Sequence, residues 1–281
     1  MLPALGAMLG LMLGLVFGAC SRKVAPRLKV AVTLFPIYDL ARTVAGVDAD
    51  VVLLVPPEPA PHDLHPPDPP PGAVDQVSGA KLGIMVGLGF DEWMKALLEQ
   101  AAPSAHRLVA GDRVPTLPLR SRDPHADEKP DPYVWLDPAR AILISNAMAE
   151  EMARVDSAHA AGYRSRSFAL QQRLDALDRD VEARIATWPS RSFASFPLDF
   201  AYYADRYRLA PSANVDPSQR TGVANRALDP IGGQPQTDSY EKLIRFDTDT
   251  LERIVKSPLP PVEDGSVSPP PAPGADGSQA H

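Results

Sequence analysis

Two histidines, His62 and His65, stand inside Pro61-His62-Asp63-Leu64-His65-Pro66-Pro67. This loop follows the apolar run Val51 to Val55, which reads as a strand. Crevices beyond the carboxyl ends of parallel strands are where open α/β sheets bind ligands, so His62 is placed to meet one. Spacing alone leaves the blander alternative open, that both histidines are solvated members of a proline-rich loop. Enzyme chemistry finds no frame in the chain. There is no Ser-His-Asp spacing, no glycine loop to cradle phosphate and no recognisable pair of acids, and Leu88-Gly89 and Gly232-Gly233 read as turns.

The only cysteine, Cys20, ends an uncharged stretch rich in Leu, Met, Gly and Ala and is followed by Ser21-Arg22-Lys23. Residues 1–20 read as an export signal, with a single anchor helix of about 20 apolar residues as the alternative. Gly18 and Ala19, directly before Cys20, resemble the lipobox of bacterial lipoproteins, in which the cysteine is acylated and becomes the new N-terminus. A cysteine used in this way leaves no thiol for a disulfide, a thiolate metal site or a nucleophile. The formal charge of −7 argues against nucleic acid as a partner, because phosphate binding needs clustered excess Lys and Arg.

The elements that would position these residues alternate strand with helix. Val30 to Leu34, Val51 to Val55, Leu82 to Val86 and Arg107 to Val109 read as strands; Tyr38 to Val44, Ala73 to Ser78 and Glu92 to Ala101 read as helices. That alternation implies a parallel sheet covered on both faces. Asp137-Pro138 opens a helix to about Arg154, with Asp137 as cap and Pro138 in the first turn. From Asp156, helical periodicity resumes through Leu170, Leu174, Leu177, Val181 and Ile185 to Trp188-Pro189, long enough for a strut between two lobes. Beyond it, Arg191 to Phe196 reads as a strand, Phe200 to Tyr207 as a helix, Arg226 to Leu228 as a strand and Tyr240 to Val255 as the last helix. The 32 prolines gather at residues 56–71 and past residue 257, marking a long loop and a tail with almost nothing to bury. The expected division is a signal at 1–20, an N-terminal α/β lobe at 21–155, a linking helix at 156–188, a C-terminal lobe at 189–256 and a disordered tail at 257–281.

Thr33-Leu34-Phe35-Pro36-Ile37-Tyr38-Asp39-Leu40, Pro61-His62-Asp63, Val86 to Trp93, Val134-Trp135-Leu136-Asp137-Pro138, Phe200 to Tyr207 and Leu228-Asp229-Pro230-Ile231-Gly232-Gly233 appear in that order. As a set, running from about Lys29 to Ile254, they resemble the signatures of the metal-binding receptors of ABC importers, the zinc- and manganese-binding lipoproteins once described as adhesins. The resemblance implies two parallel-sheet lobes joined by one long rigid helix, with a divalent ion in the cleft held by three histidines and a carboxylate. Imidazole and carboxylate oxygen together suit Zn²⁺ or Mn²⁺. It further implies a monomer lipid-anchored at Cys20 outside the cell membrane, in the periplasm or on the outer face, delivering its ion to a permease and an ATPase and catalysing nothing.

Carried over by position, the first ligand falls on His62 and the fourth on Asp229. Tyr133 stands where the family has a histidine before Val-Trp-Leu-Asp-Pro, and Pro197 stands where it has another. Proline offers no donor, and Tyr133 is a poor ligand unless its phenol, with a pKa of about 10, loses its proton. His65, His125 and Asp199 are the weaker candidates for repair, with Asp127 and Glu128 beside His125. Only the eighteen residues 210–227 separate Leu209 from Leu228, where the family fits a further strand and helix, so the C-terminal lobe is expected to be truncated. Two functions follow: metal capture with His62, Asp229 and Tyr133 lining the site, or a degenerate relative that serves as a binding or scaffolding lipoprotein at the cell surface.

Overall fold

The computed structural model describes residues 27–57, 68–119, 129–193, 198–211 and 228–256. Four short β-rich runs form one parallel sheet: β1 (Leu28–Val32), β2 (Ala49–Leu53), β3 (Leu82–Met85) and β4 (His106–Val109), in the order β2-β1-β3-β4. The helices α1 (Phe35–Ala45), α2 (Ala73–Val77) and α3 (Trp93–Ala101) connect them. Because successive strand side chains face opposite ways, Val30, Val32, Leu82 and Ile84 join the cluster containing Ile37 and Leu40 of α1, whereas Ala31 and Met85 join Val77 of α2 and Leu97 of α3. Both faces are thus covered, as near-continuous apolar strands require.

Chain direction across the sheet switches between β1 and β3, and Asp91 secures that point. Its carboxylate accepts hydrogen bonds from Thr33 Oγ1 at the end of β1 and from the N–H groups of Val86 (2.8 Å) and Gly87 (2.7 Å) at the end of β3. Next, α4 (Pro138–Val155) begins as its sequence dictates: Asp137 accepts from Ala139 N–H at 2.8 Å and Pro138 occupies the first turn. The long helix α5 runs over Ala160–Ala186. It starts later than its periodicity suggests, after a 3-10 turn at Ser157–His159, because the Asp156 carboxylate pins the corner by accepting from Tyr163 Oη (2.7 Å) and meeting His159 Nδ1 (2.7 Å).

The second lobe is small. Its described strands are β5 (Ser192–Phe193) and β6 (Ala210–Pro211), a parallel pair of two residues each, with α6 (Ala201–Tyr207) between them. The last helix, α7 (Tyr240–Lys256), packs on α5 and α1, and Asp39 of α1 accepts the Tyr240 N–H at its start (2.8 Å). One expectation is corrected here. Leu228 belongs to no strand, because the chain turns away at Asp229, whose N–H bonds the Asp247 side chain on α7 (2.8 Å) instead of a neighbouring strand. Residues 226 and 227 lie outside the described residues.

Candidate metal centre

Asp229 is a carboxylate held in place by its own turn. Its Oδ1 accepts from the N–H groups of Ile231 (3.0 Å) and Gly232 (2.8 Å), and its Oδ2 accepts from Thr237 Oγ1 (2.8 Å). Gly232 and Gly233, at φ +75° and +88°, supply the left-handed backbone that this turn demands. Gly233 also lets the turn press on the other lobe, since a Cβ there would come within 2.3 Å of Pro57 Cβ. Gln234 Nε2 donates to the Pro57 carbonyl at 2.7 Å. The Asp229 turn therefore abuts the last described residue before the segment that carries His62. His62 stands five positions after Pro57, and an extended chain of five residues spans at most about 18 Å. His62 and His65 themselves lie outside the described residues, as do Cys20, His125, Asp127, Glu128 and Pro197.

Tyr133 sits on an aromatic shelf beside this turn. Its ring lies 5.1 Å from the Trp135 ring and 6.0 Å from the Phe90 ring, centroid to centroid. Trp135 spans the gap by donating its indole N–H to the Pro230 carbonyl at 2.7 Å. Tyr133 is buried, 3% exposed. Burial lifts its phenol well above the ordinary value, and the negative charges of Asp199 and then Asp131 lift it further. It is therefore a neutral phenol at physiological pH, and a cation would have to displace that proton before using its oxygen.

Asp199 lies in the 3-10 turn Leu198–Phe200 that leads into α6, so it reaches this corner from the second lobe. Asp131, which sequence reasoning passed over, accepts from the Tyr133 N–H at 2.9 Å. Tyr202 of α6 fixes the same stretch: its hydroxyl donates to the Asp131 carbonyl (2.8 Å) and accepts from the Leu117 N–H (3.0 Å). Leu117–Leu119 and Lys129–Asp131, which flank the segment bearing His125, pair with each other through Leu119 N–H to Lys129 O (2.7 Å) and Asp131 N–H to Leu117 O (2.8 Å). Among the described residues, Tyr133 thus packs on Trp135 with the charges of Asp199 and Asp131 acting on its phenol, and Trp135 is tied to Pro230 beside Asp229. Among the described residues, no three His, Cys, Asp or Glu side chains converge as a metal-binding group.

Asp247 was also missed. It is fully buried on α7, and burial pushes its carboxyl well above the usual carboxylate range, offset in part by the Asp229 N–H and reinforced by the Asp229 charge. A folded-state value above the unfolded 3.8 gives a contribution that is fully present below that pH and is lost as pH rises through the folded value. Asp247→Asn, uncharged throughout, is expected to gain stability over wild type between about pH 4 and pH 7.5, read as the difference in urea midpoints. A difference that stays constant across that range would contradict this.

Comparison with known proteins agrees with this architecture. Residues 30–224 match the family described as zinc-uptake complex component A, periplasmic (ZnuA). The zinc-binding protein AdcA of Streptococcus pyogenes is 22% identical over 201 residues, a match covering 65% of this chain and 38% of AdcA. The chain thus spans less than two-fifths of the length of that relative. The metal ABC transporter substrate-binding lipoprotein SsaB of Streptococcus sanguinis is 25% identical over 221 residues, covering 74% of this chain and 70% of SsaB. Among solved structures, a metal-free mutant of a periplasmic metal-binding protein from Candidatus Liberibacter asiaticus superimposes with a TM-score of 0.68 at 16% identity, covering 82% of this chain and all of that one. At such identity the likeness is one of fold.

Proposed function

The chain belongs to the family of the periplasmic zinc-uptake complex component A, and from that membership we propose that it is the extracytoplasmic substrate-binding protein of a metal-ion ABC importer. It captures a divalent ion, zinc or manganese, in the cleft between its lobes and releases it to a permease and its ATPase. Asp229 and His62 are the principal ligands, Tyr133 lines the site, and His65, His125 and Asp199 are the available supplements. A lipid on Cys20 keeps the monomer at the outer face of the membrane. The protein binds and hands over; it makes and breaks no covalent bond.

The observation that carries this reading is the Asp229 carboxylate. Three donors hold it, in a turn pressed against the opposite lobe, and such outer-shell hydrogen bonds orient carboxylate ligands and tune their affinity. One further observation favours the alternative, a degenerate surface lipoprotein with no cargo: the neutral, buried phenol of Tyr133 replaces an imidazole. Calorimetric titration of Zn²⁺ and Mn²⁺ into the full chain in detergent separates the two. The receptor reading expects micromolar or tighter binding, weakened in His62→Ala by more than the roughly 10- to 100-fold typical of an outer-shell change. Binding of wild type no tighter than about 0.1 mM, or unchanged in His62→Ala, would sink it.

A further inference from the structure

The buried stripe of α7 runs through Tyr240, Leu243, Ile244, Asp247, Thr248 and Leu251. That spacing is the inner face of an amphipathic helix, and the position of Asp247 is one where an apolar side chain would pack. A carboxyl group at 0% exposure must be compensated by strong partners or it weakens the helix that carries it. The partners present are few. Oδ1 accepts one hydrogen bond, from the Asp229 N–H at 2.8 Å, and Oδ2 is buried with no hydrogen-bond partner among the described residues. A carboxyl placed to serve its own helix would use both oxygens. Here the bond it makes is spent on a residue eighteen positions away.

That residue is Asp229. Its carboxylate is oriented from the front by Ile231, Gly232 and Thr237, and the backbone that carries it is fixed from behind by α7. Among the described residues, no strand pairs with Leu228 or Asp229. From this geometry we infer that Asp247 is a positioning residue for the metal site: it ties the Asp229 backbone to α7 and so sets the direction of the Asp229 carboxylate. The inference rests, for its link to metal, on the reading of Asp229 as a ligand. It concerns an acceptor atom, so Asn, which keeps one, can substitute, and Leu, of similar size without one, cannot.

The test compares the full chain with Asp247→Asn and Asp247→Leu by amide hydrogen exchange and by Zn²⁺ and Mn²⁺ titration. In Asp247→Leu the Asp229 amide is expected to exchange about 10- to 100-fold faster, as befits loss of a hydrogen bond to a carboxyl, with the α7 amides unchanged. Asp247→Asn is expected to keep Asp229 protected. Metal affinity is expected to follow, falling about 10- to 100-fold in the Leu variant and rescued in the Asn variant. Wild-type protection of Asp229 in Asp247→Leu would overturn the inference. So would loss of protection in Asp247→Asn, an outcome readable even if the Leu variant does not fold. A wild type that binds neither ion defeats the metal reading alone, since the exchange arm still decides whether Asp247 holds Asp229.

Discussion

Trp135→Ala is expected to lower the unfolding free energy by about 3–5 kcal/mol, the range for removing a fully buried large aromatic side chain. Trp135 is 0% exposed and packs against the rings of Phe90 and Tyr133, at 5.5 and 5.1 Å. Alanine removes that packing and also the indole donor to the Pro230 carbonyl, whose neighbour is Asp229. The hydrogen bond that the Tyr240 hydroxyl donates to the Trp135 backbone carbonyl, 2.8 Å, is not deleted by the substitution, so α7 keeps one of its attachments. Urea denaturation of wild type and variant measures the effect, and a loss below about 1 kcal/mol would show that the aromatic shelf does not join the lobes as described.

Asp91→Ala is expected to cost about 3 kcal/mol or more. The alanine leaves the N–H groups of Val86 and Gly87 and the Thr33 hydroxyl without the acceptor that satisfies all three, and each such buried group costs about 1–3 kcal/mol. Asp91→Asn is not expected to restore wild-type stability, because one of its two terminal atoms becomes a donor, facing either the Val86 or the Gly87 N–H. Chemical denaturation of both variants checks this; near-wild-type behaviour of the alanine variant would mean that the ends of β1 and β3 do not depend on Asp91.

Much of this fold could be read from local pattern, and the reasons are visible in particular residues. Val30 to Leu34 and Leu82 to Val86 are apolar runs too short for helices and buried on both faces, so the parallel sheet was legible, to within two residues at each end. Asp137-Pro138 announced α4 through two independent signals, a capping carboxylate and a proline in the first turn. The features that escaped are those that depend on distant partners. Asp247 looks like a misplaced polar residue in an apolar stripe until its bond to Asp229, eighteen residues back, is seen. Asp131 carries no pattern of its own, and acts through the Tyr133 N–H and the Tyr202 hydroxyl. The pairing of Ser192–Phe193 with Ala210–Pro211 is too short to leave a periodic trace.

The site was legible in part for the same reason. Asp229 could be singled out because Leu228 to Gly233 resembles a signature of the metal-binding receptors, while Gly232-Gly233 by themselves read only as a turn. What the sequence could not convey is the electrostatics around Tyr133, since its phenol is raised first by burial and then by the charges of Asp199 on the other lobe and Asp131 two residues earlier. The same arrangement bears on cargo. On the proposed reading, one prepared carboxylate and a neutral phenol leave the remaining donors to imidazole, which suits zinc or manganese only if His62 reaches the Asp229 turn.

The proposed receptor function places one ion at Asp229. Metal content after equilibrium dialysis of the full chain against Zn²⁺ or Mn²⁺ tests it most directly, with Asp229→Ala run in parallel. One ion per chain is expected for wild type and none in the variant. Equal metal content in the two proteins would contradict it.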